Sequence, residues 1–579
     1  MPPFLRDASG AVAGALAILA IAATGGFAAL RDAGGDNDSL LRLVTVRDLL
    51  AGQGWFDPQQ YRMGLPGGFP MHWSRIVDAP LALLVTLLGE TVALVAWPLM
   101  LAALALFAIA RLVRLSHGEE AVFPALVVGA LALVSTGVFE PGAIDHHNLQ
   151  VTLTLAMAAG LASRSGRGGL LAGACAALLL AVAQEAVPYV AAGGLAAAWL
   201  LVTNRARDRD VATGFGIGFA AIAAVAFIAT VPPPAWWNAA CDAYSIAQGA
   251  IAVLAGLGLA LVARVTRGAG LRSTLLGLLM LGLAVGVVVI AAFPQCLSDP
   301  YAGLDPRLKL YWLDGVVEAQ SVLSILRSDP AMLFAWYATP ALALVLLGYR
   351  AVRGVVSLPE AVCGILLAAA FLVSLWQVRG AVFAIPLAVV PLAGWIGARR
   401  TAQARAPTTA HALAMAAAWA LSFNAVWSVS AASLLGPSDA DSREAAAGSA
   451  QPHAACYRAA DYAELARLAP TTVLAVSNLG SSILAWTLHR ALSGPYHRNV
   501  DGNLAALDAF LSPADWAQAL LRRAGVGLVA VCPGNGETQV LARAAPGGLL
   551  AALVAGDVPG WLEPLDAGPA EPLRLYRVR

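Results

Sequence analysis

Long apolar runs, separated by short polar segments, fill the first three quarters of the chain. Thirteen of them are long enough to cross a bilayer as helices. They lie at about 10–30, 90–110, 121–139, 148–163, 168–184, 186–203, 212–231, 248–264, 273–294, 331–349, 355–377, 380–398 and 409–431. No convincing cleavage site follows the first run, so we expect it to remain as a membrane anchor. The pattern predicts a polytopic α-helical membrane domain of about 13 transmembrane helices over residues 1–435.

The polar segments between the runs alternate in charge. Every second segment is basic, beginning with Arg111 and Arg114 and ending around Arg400. Because basic loops remain on the cytoplasmic side of a membrane, the alternation predicts a cytoplasmic N-terminus. The loops 31–78 and 296–329, called the first and fifth outer loops, then lie on the outer side. We predict a multi-pass protein of the bacterial inner (cytoplasmic) membrane.

The segment 436–579 has a different character and is predicted to be exported to the periplasm. It opens with a linker rich in Gly, Ser, Ala and Asp, and strand-like and helix-like stretches such as TTVLAV and SPADWAQALLRRAG follow. These patterns are typical of a small α/β domain. At about 130 residues after the linker, the segment is long enough to hold a core of its own.

Four of the six cysteines fall on the predicted outer side. Cys241 and Cys296 lie on two outer loops, and Cys456 and Cys532 both lie in the exported segment. In an oxidising compartment each pair could form a disulfide, with free thiols as the alternative.

The composition agrees with solvation by lipid. The chain is 59% hydrophobic and only 12% charged, whereas a soluble domain carries about 25% charged residues. The formal net charge is +1, and no basic cluster with interleaved aromatic residues occurs. Nucleic-acid binding is therefore excluded.

Four polar motifs share the predicted outer face. In chain order they contribute Asp36 and Asp38; Asp145, His146 and His147; Glu318; and Arg379. Taken singly, the acidic and imidazole groups could be solvated or interfacial residues. Arg379 is harder to dismiss, because a cation within the hydrocarbon is costly and usually marks a polar pathway or an anion site.

Together the four motifs describe a reaction centre. Carboxylates with an imidazole suit a divalent ion such as Mn²⁺ or Mg²⁺. Such an ion and a buried arginine would neutralise a phosphate or pyrophosphate leaving group. A carboxylate that the metal does not fully use can take the proton of an incoming nucleophile.

In this order the motifs resemble those of the catalytic subunit of oligosaccharyltransferase, a C-type glycosyltransferase. Asp38 in GDNDSLL matches the family's first-loop aspartate, and GAIDHHN matches its Asp-x-His motif through Asp145 and His147. GVVEAQ matches only the Val and Glu of the fifth-loop motif, through Glu318, and WQVRGAVF resembles the run whose arginine, here Arg379, holds the carrier phosphate.

The resemblance implies an inverting glycosyltransferase that takes a glycan from a polyprenyl-(pyro)phosphate carrier to a periplasmic acceptor. Asp38 would act as base and metal ligand, and Asp145, His147 and Glu318 would complete the metal shell. Arg379 would bind the donor phosphate. Further candidates are Asp36, His146, His72, Arg75, Arg490, His497 and Arg498.

One family motif is missing. The family reads the acceptor sequon with Trp-Trp-Asp-Tyr-Gly, and Ser477-Asn478-Leu479-Gly480 stands in the corresponding place here. We therefore expect the acceptor to be a hydroxyl of a lipid, polysaccharide or protein rather than a sequon Asn. A true protein N-glycosylating enzyme is the alternative within the class.

Two functions from other classes fit less well. A transporter or flippase of a lipid-linked glycan would use Arg379 and Glu185 as pathway residues. However, the polar residues gather at one face rather than at the midplane, where transport sites lie. A zinc hydrolase that uses Asp145, His146 and His147 is disfavoured because neighbouring residues on a turn rarely face one metal.

Overall fold

The computed structural model describes residues 1–28, 30, 36–203, 205–299, 301–435, 455–565 and 572–579. The predicted linker, 436–454, lies outside the described residues, as do residues 31–35 at the start of the first outer loop. The division of the chain at residue 435 therefore stays a prediction.

Helices dominate the chain up to residue 435, as the apolar pattern predicts. In chain order they are α1 (Pro3–Thr24), α2 (Asn37–Leu50), α3 (Arg75–Leu88), α4 (Glu90–His117), α5 (Val122–Ser135), α6 (His147–Ala162), α7 (Gly166–Val182), α8 (Val187–Val202), α9 (Ala206–Thr230), α10 (Ile246–Val265), α11 (Leu271–Ala292), α12 (Pro306–Tyr311), α13 (Val322–Ser328), α14 (Pro330–Val352), α15 (Leu358–Trp376), α16 (Ala381–Arg405), α17 (Thr409–Leu421) and α18 (Asn424–Leu435). Helical structure occupies every one of the thirteen predicted positions.

Fewer helices than predicted are long enough to cross a membrane alone. Among the described residues, nine helices are long and apolar enough: α1, α4, α8 to α11 and α14 to α16. Helices α8 and α16 are counted together with the short turns before them. Helices α5, α6 and α7 have 14, 16 and 17 residues, slightly short of the ~20 that a bilayer requires. The last predicted span is a pair, α17 and α18, bent by 83°.

Close packing between membrane helices relies on glycine. A Cβ on Gly173 of α7 would lie 2.0 Å from the carbonyl oxygen of Phe215 in α9, so the two backbones touch there. Small residues allow such contact where lipid supplies no hydrophobic driving force. Helix α16 is the most enclosed of the nine candidate spans among the described residues, with 83% of its most apolar stretch buried. The turn before α16, residues 378–380, carries Arg379.

The first outer loop folds into α2 and a hairpin whose two strands have two residues each, and it then leads into α3. Asp36 caps α2 by accepting the backbone N–H of Asp38 at 3.0 Å. Strands β1 (Gln59–Gln60) and β2 (Phe69–Pro70) pair antiparallel. The loop is fastened by a buried ion cluster in which Asp78 accepts from Arg42 at 2.8 Å and from Arg75 at 3.1 Å.

The C-terminal segment forms one five-stranded sheet with helices around it. The strands are β3 (Thr472–Leu474), β4 (Arg490–Ala491), β5 (Val526–Val531), β6 (Leu562–Leu565) and β7 (Arg574–Val578), in the order β4-β3-β5-β7-β6. The helices are α19 (Ala463–Arg467), α20 (Gly480–Trp486), α21 (Val500–Leu511), α22 (Ala514–Arg523), α23 (Gly536–Ala544) and α24 (Leu549–Ala555). Strand β3 is parallel to β4 and β5, and β7 is antiparallel to β5 and β6.

The hydrophobic core of the C-terminal segment is shared with the outer loops. Leu41 of α2, Met63 of the first outer loop and Leu308 of the fifth are buried within it. The backbone of the first loop also joins the sheet edge, where Gly64 N–H donates to Ala491 O at 2.8 Å. The sequence pattern predicts a core of the segment's own; instead the outer loops complete it.

Both predicted cysteine pairs are disulfide-bonded. Cys241 is joined to Cys296, which connects the loop before α10 to the start of the fifth outer loop. Cys456 is joined to Cys532 within the C-terminal segment. The other two cysteines, Cys175 and Cys363, are buried free thiols.

The shared core predicts an effect of the first outer loop on the stability of the C-terminal segment. Leu41 is fully buried in that core, whereas Leu50, on the same helix, is 47% exposed. We expect Leu41→Ala to lower the free energy of unfolding of the C-terminal segment by about 2–5 kcal/mol. Leu50→Ala should change it by less than about 0.5 kcal/mol. Pulse proteolysis of the full chain over a urea series measures both, and equal midpoints for the two variants would contradict the shared core.

Candidate active site

The turn between α5 and α6 presents Asp145, His146 and His147 side by side. Gly142, with φ 101°, begins this turn, and its N–H donates to Leu94 O of α4 at 2.9 Å. The side chain of Asn148, in the first turn of α6, donates to Ala143 O at 2.8 Å. The turn is therefore anchored at both ends, and all three side chains are buried.

Each imidazole lies between two carboxylates. The two oxygens of Asp145 contact Nδ1 of His146 and Nδ1 of His147. Oε1 of Glu185, in the turn before α8, lies 3.1 Å from Nε2 of His146 and 3.0 Å from Nε2 of His147. The rings are stacked with centroids 4.5 Å apart. The structure thus brings Glu185, which lies near residue 145 only in space, into the centre of the site.

This cluster fits a metal ion. One ligand atom from each of Asp145, His146 and His147 lies within 4.8 Å of the others. Asp145 Oδ1, His146 Nδ1 and His147 Nε2 are buried without a properly oriented hydrogen bond, and buried polar atoms need a partner. Neighbouring residues on a turn rarely face one metal ion, but these three bring their ligand atoms close together. His147 begins α6, and its ring stacks on that of His146.

Arg379 connects the histidine cluster to the fifth outer loop. Its Nη1 donates to Glu185 Oε2 at 2.7 Å, and its Nη2 lies 3.3 Å from Glu318 Oε1. The two segments are also joined through the backbone, since Val378 N–H donates to Gln320 O at 2.9 Å. Glu318 is the more accessible partner, with 46% of its side chain exposed.

The aspartates of the first outer loop lie beside the same cluster. Ser39 donates its hydroxyl proton to Asp36 and accepts the backbone N–H groups of Ile144 and Asp145, at 3.1 and 3.2 Å. Burial and the charges of Asp145, Asp36 and Glu318 raise the pKa of Asp38 to about 8. Carboxylates crowd together here, and a divalent cation would relieve their repulsion.

Two aromatic residues that the sequence did not single out form a wall of the site. The hydroxyl of Tyr496, from the C-terminal segment, donates to Asn37 O at 3.0 Å. Trp73 packs edge-on to Tyr496 at 5.6 Å, and its ring centroid lies 6.2 Å from that of His146. The guanidinium of Arg42 lies 4.1 Å above the Trp73 ring. A lone Trp or Tyr in a loop carries no signal of such a position.

His497 and Arg498 are paired with Asp242, which the sequence analysis did not identify. Asp242 Oδ2 lies 2.7 Å from His497 Nε2, and both Asp242 oxygens accept from Arg498 at 2.7 Å. Burial alone would raise the pKa of Asp242, but these contacts lower it. His72 lies 4.7 Å from His497, ring to ring, and burial and the neighbouring cations lower its pKa. This group fastens the C-terminal segment next to the site.

Arg75 and Arg490 have structural contacts and are not brought to the cluster. Arg75 binds Asp78 and also donates to Asp57 O at 2.7 Å. Arg490 donates to Leu65 O at 3.2 Å. Ser477–Leu479, where the family's sequon motif would stand, forms the turn before α20.

The geometry predicts that His146 contributes to metal binding together with Asp145 and His147. We expect Asp145→Asn, His146→Gln and His147→Gln each to weaken Mn²⁺ binding by about tenfold or more, since each removes one donor of a buried set. Isothermal titration of the purified chain with Mn²⁺ measures this. Glu140→Gln is the matched control, because this carboxylate lies on the same turn and has no side-chain partner among the described residues. Unchanged Mn²⁺ affinity in His146→Gln would show that His146 is not a metal ligand.

Comparisons with known proteins give the fold. No protein-family model matches the chain, and no curated protein matches it significantly. Three solved structures of the oligosaccharyltransferase of Archaeoglobus fulgidus are similar at 15% identity. The AglB complex with an inhibitory peptide and a dolichol-phosphate has a TM-score of 0.61 and covers 98% of this chain and 74% of that one. The apo form has a TM-score of 0.64 and covers 90% and 69%.

The third structure, a complex with Zn and sulfate, has a TM-score of 0.59 at 15% identity and covers 98% of this chain and 73% of that one. The predicted fold class is confirmed by these likenesses. The chain has the polytopic membrane fold of these oligosaccharyltransferase structures, including a C-terminal segment that contains a sheet.

Proposed function

We propose that this chain is a metal-dependent glycosyltransferase that transfers a glycan from a polyprenyl-(pyro)phosphate carrier to a hydroxyl acceptor. The observation that carries the proposal is the meeting of four separate polar motifs at one end of the membrane helices. The charges of Asp145 and Glu318 act on Asp38. Glu185 contacts His146 and Arg379, and Arg379 contacts Glu318. The likeness to oligosaccharyltransferase structures, which include a complex with dolichol-phosphate, agrees with a lipid-linked donor.

The residues divide into a cation site and a phosphate site. Asp145, His146 and His147 would hold the ion, with Asp38 and Glu318 able to complete its shell. When bound, Mn²⁺ or Mg²⁺ supplies positive charge that stabilises a leaving phosphate. Arg379 supplies the second positive charge. Its contact with Glu318 is the longer and more exposed of its two ion pairs, so this is the contact that a donor phosphate would replace.

Asp38 is the candidate base. It lies in the first turn of α2 beside the cluster, and its raised pKa would fall when a cation neutralises the neighbouring carboxylates. It would then accept the proton of the acceptor hydroxyl as that oxygen attacks the anomeric carbon. The carrier phosphate leaves from the opposite side towards Arg379, which inverts the configuration at the anomeric carbon.

The segment that replaces the sequon motif supports a hydroxyl acceptor. The backbone N–H groups of Ser477 and Asn478 donate to the carboxylate of Glu537, at 3.1 and 2.8 Å, and the Ser477 hydroxyl also donates to it. These groups are therefore already satisfied within the fold. We propose that the chain does not use this segment to read an Asn sequon.

The position of the charges disfavours transport. Glu185, His147 and Arg379 all lie at or just before the first residues of helices, and they are paired with one another. A transport pathway would instead place polar residues near the middle of several spans. We propose a multi-pass protein of the bacterial inner membrane whose site faces the periplasm, with the carrier lipid arriving through the bilayer.

Transfer should depend on the metal and on the residues of both the cation site and the phosphate site. With a lipid-linked glycan donor and reconstituted protein, we expect EDTA to abolish release of carrier phosphate and Mn²⁺ to restore it. Asp38→Asn, Asp145→Asn, Glu318→Gln and Arg379→Ala should each lower the rate by about 100-fold or more. Glu140→Gln should behave like the wild type. A donor that binds but is never cleaved, with equal behaviour of all variants, would favour transport.

The acceptor chemistry can be tested on the product. We expect no transfer to a peptide that carries an Asn-x-Thr sequon, and transfer to hydroxyl-bearing acceptors from a periplasmic and membrane extract. Mass spectrometry before and after treatment with a peptide N-glycosidase distinguishes the two linkages, because that enzyme releases only Asn-linked glycans. A sequon peptide that has received the glycan on its Asn would establish the N-glycosylating alternative.

A further inference from the structure

A groove between α9 and α10 lies at the end of these helices that is remote from the candidate active site. It is lined by Thr213, Ile217, Ala260, Leu261, Arg264 and Arg267, and it encloses about 960 Å³ including its open mouth. Helix α10 begins at Ile246, shortly after Asp242, which holds His497 beside the site. Arg264 is near the other end of α10, ~27 Å farther along at a rise of 1.5 Å per residue.

The helix packing explains why a groove forms here. The backbones of α9 and α10 are in contact at Gly216 and Gly256, where a Cβ on Gly216 would lie 2.3 Å from Gly256 O. Beyond this contact the facing residues include Thr213 and Ala260, which are too small to fill the space between the helices. Nearby, Arg209 of α9 connects the two helices, donating to Ala263 O at 2.7 Å and to the Thr266 hydroxyl at 2.9 Å.

The groove carries positive charge that the protein leaves largely unpaired. Among the described residues Arg264 has no ion pair or side-chain hydrogen bond. Arg267 lies 3.4 Å from Asp210, with 69% and 55% of the two side chains exposed, so this pair is weak. Asp208, the other nearby carboxylate, is paired with Arg164. Further cations at this end of the helices include Arg167, Arg205, Arg207 and Arg272.

The walls next to these arginines are apolar and exposed. Leu261 lies three residues before Arg264 on α10, and Ile217 follows Gly216 on the facing helix α9; both side chains are exposed. A ligand that fits must therefore present an anion at the membrane surface and an acyl chain towards the hydrocarbon. Arginine side chains between membrane helices bind anionic headgroups in this way.

We propose that this groove binds one anionic phospholipid of the leaflet opposite the candidate active site. Arg264 and Arg267 would bind the phosphate, and an acyl chain would lie along Ile217 and Leu261. The Thr213 hydroxyl already donates to Arg209 O at 2.9 Å. The proposal does not depend on the transfer reaction.

Native mass spectrometry of the full chain tests the proposal. The purified protein is titrated with phosphatidylglycerol and with phosphatidylcholine of the same acyl chains. We expect tighter retention of one phosphatidylglycerol, and at least a tenfold loss of its affinity in Arg264→Gln/Arg267→Gln. Phosphatidylcholine retention should not change. Inorganic phosphate at 10-fold excess over the lipid should not displace the phosphatidylglycerol, since it lacks the acyl chains.

A matched double variant, Arg205→Gln/Arg207→Gln, removes the same charge from the same end of the helices without touching the groove. It should retain phosphatidylglycerol like the wild type. Equal loss of phosphatidylglycerol affinity in both double variants would show a general surface-charge effect and overturn the proposal. Equal retention of phosphatidylglycerol and phosphatidylcholine by the wild type would also overturn it. Displacement by inorganic phosphate would also overturn it in favour of a free-anion site. Thermal unfolding in detergent checks that both variants are folded.

Discussion

The mutual neutralisation of charges around His146 and His147 is the constraint on which the rest of the structure depends. Asp145 and Glu185 enclose the two imidazoles, and Glu185 also binds Arg379. Isolated charges at the edge of a membrane would be costly, so these groups are tolerable only together. The starts of α6, α8 and α16 must therefore meet at one level.

The outer loops are held against this cluster by the C-terminal segment. Leu41 and Met63 are buried in its core, and the guanidinium of Arg62 donates to three of its carbonyl oxygens, those of Leu484, Thr487 and His489. Tyr496 of the C-terminal segment and Trp73 of the first outer loop can form a wall of the site because these two segments pack into one core. The candidate site thus lies between the membrane helices and a cover formed by the first outer loop and the C-terminal segment.

The two ends of the membrane helices use charge differently. At the candidate active site, cations and carboxylates are paired with one another, and most of them are buried. These groups are the ones proposed to hold a metal ion and a phosphate. At the far end of α9 and α10, arginines are exposed and largely unpaired beside apolar walls. Buried pairs determine local geometry, whereas exposed cations at a membrane surface attract anionic lipid.

The sequence by itself determined where the helices lie, because apolar run length and charge alternation act along the chain. It also offered four motifs as candidates for chemistry and the two cysteine pairs as possible disulfides. It did not reveal the partners of those motifs. Glu185 lies 39 residues from His146, and Asp242 lies 255 residues from His497. The sequence offered Glu185 only as a residue of a transport pathway, and nothing in the local pattern marked Asp242. The contacts of Arg75 with Asp57 O and of Arg490 with Leu65 O, and the shared core at Leu41, also join residues that are distant in the chain, so the sequence did not predict them. A buried charge needs some partner, but only the packing of helices and loops in three dimensions decides which one comes within hydrogen-bonding distance.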